Sequence, residues 1–465
     1  MATATGAPSS GKAERLDLVV VGGGPAGLAE AFWALRDAPD RRVVVLEADA
    51  EPGGWVRTLE VDGFRLELGP QALRPSDTLE ALLAALGMED DVVPAAPSAK
   101  LRHVGRGGRL IPVPTGPGSF LGTPLLPLGA KLRLLTEPFR RTRGTTPDPT
   151  ESISSFVGRR FGRHAVPLVQ AVVSGIFAGD ADRLEVASAF PMLARAEREH
   201  GSVFAGMKAR ARAARASRGG APRPERPALL SFRHGMRTLT DRLARSLGDR
   251  LRLGAPADRI SCAGDAYRVT LADGQVFETQ NLILACPARV AASLLEDLDA
   301  AIAADLAQIP YASLASVYLD LDAAGVPATM QGFGFLLEPG EGSDVLGGLS
   351  CSDVFPDHAP TGRFLCRVMM GGRRFPDVVD RSDADLIARA TSTLERYAGY
   401  SGPARPLHVA RVRAAIPQYE TGHGARLDRV DTALRDRHPG LRLRGNSYRA
   451  IALTGQLAQP TQAAV

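Results

Sequence analysis

The feature that most constrains the fold is a glycine-rich turn near the start of the chain. Residues 19–27 read Val-Val-Val-Gly-Gly-Gly-Pro-Ala-Gly, and Glu47 ends a second apolar run twenty positions beyond Gly27. This spacing is typical of a dinucleotide-binding β-α-β unit. Gly22 then makes the tight turn, Gly24 lets the backbone approach a pyrophosphate, and Gly27 lets the helix pack on the sheet. The helix amides face the phosphates and Glu47 faces the ribose. An ordinary glycine-rich turn is the alternative.

A second glycine pair follows the acidic residue and favours FAD over a nicotinamide cofactor. Gly53, Gly54, Trp55 and Arg57 lie in the run Gly-Gly-Trp-Val-Arg-Thr. A second stretch of backbone and an arginine can therefore reach the same diphosphate. A surface turn is the alternative, because Pro-Gly-Gly would form one in any case. We predict FAD as the cofactor and these four residues as part of its site.

The composition is that of an ordinary globular protein. With 465 residues, 45 % of them hydrophobic and 23 % charged, the chain is long enough for two or three domains. The net charge of +5 does not indicate a nucleic-acid partner. The four cysteines include no Cys-x-x-Cys pair, which argues against a zinc site and suits a reducing compartment. No apolar run predicts a membrane span or a signal peptide. We therefore predict a cytoplasmic protein.

Periodic patterns place further segments in the fold. Residues 77–86 predict an amphipathic helix, and residues 267–271 and 276–285 alternate as strands around an Asp-Gly turn. The last run ends in apolar residues. We therefore predict one buried strand that returns to the nucleotide-binding sheet, which makes this domain discontinuous.

Two segments combine apolar or small residues with basic ones. Segment 116–139 is rich in leucine, proline and glycine, with lysine and arginine beside its apolar residues. Such a segment can rest at a membrane interface with its cations toward anionic headgroups. A core helix pair with a solvated basic rim is an equal alternative. Residues 208–226 carry seven basic side chains and one acid, and predict a helix end that runs into a linker.

A set of further motifs runs along the chain. They are Pro-Gly-Gly-Trp-Val-Arg at 52–57, Glu-Leu-Gly-Pro at 67–70, Leu-Arg-Pro at 73–75, Ser-Gly-Ile-Phe-Ala-Gly-Asp at 174–180, Gly-Phe-Gly-Phe-Leu at 332–336, Met-Met-Gly-Gly at 369–372, Ala-Ile-Pro-Gln-Tyr at 415–419 and Gly-Asn-Ser-Tyr-Arg at 445–449. The set resembles the FAD-dependent protoporphyrinogen oxidases of the amine oxidase-like flavoprotein superfamily, over nearly everything from residue 16 to 449. General amine oxidases are not expected to carry the middle motifs.

The resemblance implies an α/β fold with a discontinuous Rossmann-like FAD-binding domain, a mixed-sheet substrate domain and a helical membrane-associated domain. It adds Gly69, Gly445 and Asn446 to the residues expected at the cofactor. The expected boundaries are a disordered tail over 1–15, the FAD-binding domain over 16–95, 231–295 and 406–465, the substrate domain over 96–113, 201–230 and 296–405, and the helical domain over 114–200.

The resemblance also implies where the substrate lies. Arg102 matches the arginine that pairs with a propionate of the porphyrinogen, and Gly175 matches the glycine whose carbonyl faces the macrocycle. Gly334, Leu336 and Met369 match the apolar wall that sandwiches it. Without the resemblance, Arg102 would be interpreted as a surface arginine in a basic strand.

The implied reaction is oxidation of protoporphyrinogen IX or coproporphyrinogen III to the porphyrin in haem biosynthesis, with oxygen as the expected electron acceptor. Hydride leaves a meso carbon for the flavin and aromatisation drives the reaction, so we predict no catalytic base. The eight histidines form no metal-binding spacing, so we predict no metal. The residues do not distinguish the two porphyrinogens. Another flavin oxidase, such as an amine oxidase or a desaturase, and a non-catalytic relative are the alternatives. A peripheral membrane contact and a homodimer are open expectations.

The last motif departs from the family pattern. Family members continue with glycine, small apolar residues and an Asn-Asp-Cys-like start of a long closing helix, whereas here Arg449 is followed by Ala-Ile-Ala-Leu-Thr-Gly-Gln. Alanine at 450 and 452 would forbid a positive φ, and a short helix would take its N-terminal dipole away from the flavin. We therefore expect weaker FAD binding and slow turnover.

Overall fold

The computed structural model describes residues 13–140, 148, 150–217, 219 and 226–459, which form β-strands and α-helices joined by loops. The strands are β1 (Glu14–Leu16), β2 (Leu18–Val21), β3 (Val43–Leu46), β4 (Thr58–Val61), β5 (Phe64–Glu67), β6 (Val92–Pro94), β7 (Arg102–Arg106), β8 (Arg109–Pro112), β9 (Leu230–Phe232), β10 (Leu251–Arg252), β11 (Ala257–Ala263), β12 (Ala266–Leu271), β13 (Val276–Thr279), β14 (Leu282–Leu284), β15 (Tyr311–Asp322), β16 (Gly334–Leu337), β17 (Val345–Ser350), β18 (Arg363–Gly371), β19 (Ala404–Pro417) and β20 (Leu441–Leu443).

The α-helices within the same described ranges lie between these strands. They are α1 (Pro25–Asp37), α2 (Asp77–Leu86), α3 (Pro117–Gly122), α4 (Leu128–Leu135), α5 (Ile153–Phe161), α6 (Val166–Phe177), α7 (Val186–Ala189), α8 (Pro191–His200), α9 (Val203–Ala216), α10 (Arg237–Leu247), α11 (Ala288–Leu295), α12 (Ala300–Ala307), α13 (Cys351–Val354), α14 (Asp383–Thr393), α15 (His423–Arg437) and α16 (Leu453–Gln456).

A five-stranded parallel sheet holds the glycine-rich turn. Its order is β10-β3-β2-β14-β20, and every residue of β2, β3 and β14 is buried. Continuous apolar strands of this kind need cover on both faces. Helices α1, α2 and α10 pack on one face, and α11, α12 and α15 pack on the other. The predicted α/β unit with its helix after the turn is confirmed.

The predicted return strand is real but is shorter than expected. β14 pairs in parallel with both β2 and β20, whereas β13 pairs with β1 and β12 in a separate four-stranded sheet. One continuous strand over 276–285 is therefore wrong. Both ladders break at the same place, where the Asn281 side chain donates to the carbonyl of Asp17 at 3.1 Å. Asp17 and Asn281 thus lie at the boundary between the two sheets.

A seven-stranded mixed sheet forms the second large layer. Its order is β19-β15-β18-β17-β16-β7-β8, with β16 and β7 parallel and the other neighbours antiparallel. One face carries a large apolar cluster that packs on α14. The opposite face carries the predicted substrate residues, because cross-strand partners share a face. The predicted mixed sheet is confirmed.

Several expected boundaries differ from where the elements pack. Glu14 and Arg15, expected in the disordered tail, belong to β1 and pair with β13. β19, expected from residue 406 in the FAD-binding domain, is an edge strand of the seven-stranded sheet as far as Pro417. α9, expected in the substrate domain, packs on α8, since a Cβ on Gly206 would lie 2.5 Å from the Cβ of Ala196. α12, expected there too, packs in the core of the parallel sheet.

Helices α3 to α8 fill the segment expected to be helical. A buried ion pair joins Arg160 to Glu137, and Glu137 also accepts hydrogen bonds from Ser202 and from the amides of Val203 and Phe204. Glu137 follows α4, so these contacts fasten the segment just after α4 to α5 and to the start of α9. No helix within the described residues is long and apolar enough to cross a membrane. Residues 218 and 220–225, within the predicted linker, lie outside the described residues.

Candidate flavin and substrate site

The first glycine turn has the geometry that a dinucleotide cradle requires. Gly22 has φ of +112°, and a Cβ on Gly27 would lie 1.9 Å from the carbonyl oxygen of Gly22. Gly24 has a φ of −73°, and a Cβ built on it would meet nothing within 4 Å. The space beside Gly24, at the N-terminus of α1, is therefore open. One Glu47 oxygen accepts from the amide of Gly23 at 2.6 Å, which holds the carboxylate beside the turn.

The second glycine motif packs directly on the first. The amide of Gly53 donates to the carbonyl of Gly23 at 2.8 Å, and a Cβ on Gly54 would lie 3.4 Å from the Cα of Gly24. Both glycines have positive φ, +101° and +55°. The two motifs therefore form one backbone cradle. A plain surface turn, the alternative for residues 53 and 54, does not account for this contact.

Two side chains of the second motif, those of Arg57 and Trp55, differ in their contacts and exposure. The Arg57 guanidinium donates to the carbonyl of Gly54 at 3.0 Å and pairs with Asp49 at 2.8 Å. The Trp55 side chain is 47 % exposed. Its backbone carbonyl lies so close to Gly69 that a Cβ on Gly69 would be only 1.8 Å from the oxygen. In this arrangement Arg57 braces the turn, and Gly69 allows the loop after β5 to pack against Trp55.

The loop after β20 completes the edge of the parallel sheet. Gly445 has φ of +118°, and a Cβ there would lie 4.0 Å from the carbonyl of Ala285 at the end of β14. Arg444, just before it, forms an ion pair with the buried Glu30 of α1. Burial raises the pKa of Glu30, and Arg444 opposes this shift. The loop is thus tied to the helix that follows the first glycine turn.

Side chains from other elements hold the same loop from beneath. The Tyr419 hydroxyl donates to the carbonyl of Asn446 at 2.6 Å, and the Tyr311 hydroxyl lies 2.8 Å from the hydroxyl of Ser447. The Tyr419 ring also stacks on His423, with 4.2 Å between ring centroids. The strands β2, β3, β14 and β20 therefore bring these loops together at one edge of the parallel sheet. This edge, at the carboxyl ends of the strands, is where α/β sheets bind ligands. It holds Gly22, Gly24, Gly27, Glu47, Gly53, Gly54, Gly445 and Asn446.

The predicted substrate residues meet on one face of the seven-stranded sheet. Arg102 of β7 and Gly334 of β16 are register partners. Leu336 is the register partner of Gly347, which in turn pairs with Met369 of β18. From above, α6 approaches so closely that a Cβ on Gly175 would lie 2.5 Å from a methyl of Leu336. Glycine at 175 therefore lets this helix pack on the wall without displacing the Leu336 side chain.

Arg102 is a cation without an acidic partner at the end of this wall. Its guanidinium carbon lies 4.9 Å from the centroid of the Phe333 ring, and among the described residues it has no salt bridge with a carboxylate. Partial burial and the nearby Arg74 lower the pKa of Arg102. By contrast Arg106, four residues along the strand, is paired with Glu338 at 2.5 Å. Arg102 is therefore free to bind an anion.

The sequence patterns missed a group of buried polar residues between the cradle and the sheet. Arg367 donates to the carbonyls of Glu67 and Gly69 at 3.0 and 2.8 Å, and the Tyr318 hydroxyl donates to the same Glu67 carbonyl at 2.7 Å. Burial raises the pKa of the Glu67 carboxyl to about 7. The available signal was a single arginine inside the apolar run at 364–370, which is unusual for a buried strand.

The segment after the last motif is short but unstrained. α16 has four residues and follows Ala452, whose φ is −73°. Positive φ outside glycine is confined, among the described residues, to Asp62, Ala178 and Ala414. The chain therefore builds this segment without a positive φ at Ala450 or Ala452, and weaker FAD binding with slow turnover stays a prediction. The carbonyl of Leu457 accepts from the Trp33 indole at 3.2 Å, so the segment packs on α1.

Comparison with known proteins agrees with this geometry. Residues 25–455 match the family described as flavin containing amine oxidoreductase, and the chain belongs to that family. Within it, the chain is 32 % identical to the human protoporphyrinogen oxidase, over 96 % of this chain and 97 % of that one. It is 27 % identical to the coproporphyrinogen III oxidase of Bacillus subtilis, over 94 % of each. The resemblance read from the motifs is confirmed.

A solved structure supports the same assignment. A protein from Exiguobacterium sp. 255-15, provisionally named a protoporphyrinogen oxidase, superposes with a TM-score of 0.78 at 25 % identity and covers 97 % of both chains. The fold is therefore that of a flavin amine oxidoreductase from end to end of the described residues.

Proposed function

We propose that this chain is a FAD-dependent enzyme that oxidises a porphyrinogen to the corresponding porphyrin. The observation that carries the proposal is the unpaired Arg102 at the end of an apolar wall made by Gly334, Leu336 and Met369. A flat macrocycle with carboxylate arms suits an apolar slot with one cation. The names of the human and Bacillus subtilis relatives support this class of substrate.

The cradle fits FAD, and the chain's own residues divide the remaining work. Bound FAD supplies the hydride acceptor for the reaction. Gly24 leaves open space for the diphosphate and Gly54 lies beside it, whereas Gly22 and Gly53 let the two turns pack against Ala285 and Thr240. Arg102 orients one carboxylate of the substrate, and Leu336 with Gly175 keeps water from one side of the ring.

Porphyrin fluorescence tests the proposal directly. The purified protein should carry flavin absorbance and should convert protoporphyrinogen IX, coproporphyrinogen III or both to fluorescent porphyrin, with oxygen consumed. Benzylamine and putrescine should give no product above background. Oxidation of an amine in preference to both porphyrinogens would reject the proposal. The ratio of the two porphyrinogen rates identifies the substrate, and activity with menadione under argon tests whether oxygen is the acceptor.

We also propose that exposed apolar side chains in and after α4 contact a lipid surface at the periphery. Phe139 is 86 % exposed and Leu128 is 71 % exposed. Lys131, a cation expected to face headgroups, instead donates to the carbonyl of Leu121 at 2.6 Å. The amide of Val203 donates to Glu137, which places the start of α9 near Phe139. In this proposal the exposed basic side chains of α9, rather than Lys131, face the headgroups.

Vesicle flotation tests this contact. The double variant Leu128→Asp/Phe139→Asp should lose binding to vesicles of phosphatidylcholine with phosphatidylglycerol. Leu253→Asp, which changes a leucine 42 % exposed on the parallel-sheet side, should bind as the parent does. Equal binding by all three proteins would reject the proposal.

A further inference from the structure

We propose that Arg367 is a positioning residue that fixes the flavin cradle against the substrate sheet. The inference rests on the proposed function and adds a residue that no motif had indicated. It starts from a conflict in the structure. Arg367 is only 7 % exposed, and among the described residues no carboxylate lies within salt-bridge distance of it. A buried charge without a counterion is costly, so its presence requires a reason.

The hydrogen bonds of Arg367 supply that reason. One terminal nitrogen donates to the carbonyls of Glu67 and Gly69, and the other donates to the carbonyl of Leu68 at 3.4 Å. The inner nitrogen donates to the Ser316 hydroxyl at 3.2 Å. Three consecutive carbonyls are thus held by one rigid planar group. Lysine or a neutral side chain cannot reproduce this fork.

Each end of this contact leads to one half of the site. On the loop side, Gly69 packs on Trp55, which follows the second glycine of the cradle. On the sheet side, Arg367 is the register partner of Leu349, Leu349 pairs with Gly334, and Gly334 pairs with Arg102. Arg367 and Arg102 therefore lie at the two ends of one row of register partners that crosses four strands. At about 4.8 Å between neighbouring strands, their backbones are roughly 14 Å apart.

This row gives Arg367 a function separate from general stability. Arg102 binds the substrate at one end of the row, and Arg367 holds the flavin loop at the other. Hydride transfer depends on the distance between the two halves, and small misplacements of reacting groups lower the rate steeply. Loss of Arg367 should therefore affect flavin binding and turnover, while substrate affinity, which depends on Arg102 and the wall, changes little.

Three variants test the proposal in the full-length holoenzyme and its deflavinated form. Arg367→Met removes the donors and keeps the volume, and Arg367→Lys keeps one donor and the charge. Arg363→Met is the matched control, because it removes an arginine from the same strand and leaves Asp320 with Arg405. The measurements are the Kd for FAD by quenching of flavin fluorescence, kcat and KM with the porphyrinogen, and the melting temperature.

Arg367→Met should raise the Kd for FAD and lower kcat by about tenfold or more each, the size expected when a charged hydrogen-bond donor is lost. KM should stay within about twofold, and Arg367→Lys should recover part of both losses. Arg363→Met should lower the melting temperature without either loss. Parental Kd and kcat in Arg367→Met, or the same losses in Arg363→Met, would overturn the proposal. If the parent oxidises no porphyrinogen, the proposed function fails, and the Kd for FAD still decides the role of Arg367.

Discussion

Two arginines on strand β7 should respond to alanine substitution in opposite ways. Arg102 has no acidic partner, whereas Arg106 is paired with Glu338, whose side chain is 8 % exposed. Arg102→Ala therefore leaves no buried charge behind, and its effect on the free energy of unfolding should stay within about 0.5 kcal/mol, as for most surface changes. Arg106→Ala leaves a nearly buried carboxylate without its partner, which costs about 1 to 3 kcal/mol.

Their effects on catalysis should be reversed. If Arg102 binds a propionate, its removal costs a charged hydrogen bond worth about 1.5 to 3 kcal/mol, or roughly 10- to 150-fold in kcat/KM. The donors of Arg106 are already engaged by Glu338 and by the carbonyl of Leu125, so kcat/KM should change by less than about threefold. Flavin content should not change in either variant.

Steady-state fluorescence of the porphyrin product and urea unfolding measure the two quantities separately. The comparison of the two variants controls for a general loss of folded protein, since a variant that is only misfolded would lose both stability and kcat/KM. Unaltered kcat/KM in Arg102→Ala, or equal losses in both variants, would refute the assignment of Arg102 to the substrate site.

Three further predictions concern the flavin side of the molecule. Gly24→Val should abolish flavin absorbance in the purified protein, because the side chain would enter the open space of the cradle; full absorbance would place FAD elsewhere. Because burial raises the pKa of Glu67 to about 7 from 4.5, the folded state holds this proton more tightly, so stability should fall as pH rises from about 4.5 to 7 by up to roughly 3 kcal/mol. Glu67→Gln should flatten that part of the unfolding curve, and an unchanged slope would assign it to other groups. Ala450→Gly/Ala452→Gly should leave flavin retention on gel filtration unchanged, since Ala452 has a negative φ. Replacement of the segment by an Asn-Asp-Cys helix start should increase flavin retention. A gain from the two glycines alone would show that the alanines do restrict the backbone near the flavin.

The parts of the site that follow from short stretches of sequence were predictable. The turn at 22–27 needs glycine for local reasons: Gly22 has a positive φ, and a Cβ on Gly27 would lie only 1.9 Å from the carbonyl oxygen of Gly22. Helix α2 begins after Ser76, which caps it, and ends at Gly87 in the left-handed region. Both ends are visible as Ser and Gly flanking a leucine pattern. Its predicted range of 77–86 is confirmed.

The parts that depend on distant residues were not predictable. Arg367 contacts carbonyls about 300 positions earlier, and no local pattern indicates which loop a buried arginine will hold. The break between β13 and β14 depends on Asp17, which is more than 260 positions away from Asn281. The ion pair of Arg57 with Asp49 joins residues only eight positions apart, but spacing alone does not show which nearby acceptor an arginine binds.

The strand order of the parallel sheet has a consequence for how the protein is made. β2 lies beside β14, and β14 lies beside β20, so the neighbours come from residues 18–21, 282–284 and 441–443. Contacts between such distant segments slow folding, and a chain leaves the ribosome from its N-terminus. The glycine turn emerges first, yet Gly445, which lies at the same edge of the sheet, emerges more than 400 residues later. FAD should therefore bind after release of the chain, and nascent fragments that end before β20 should not retain it.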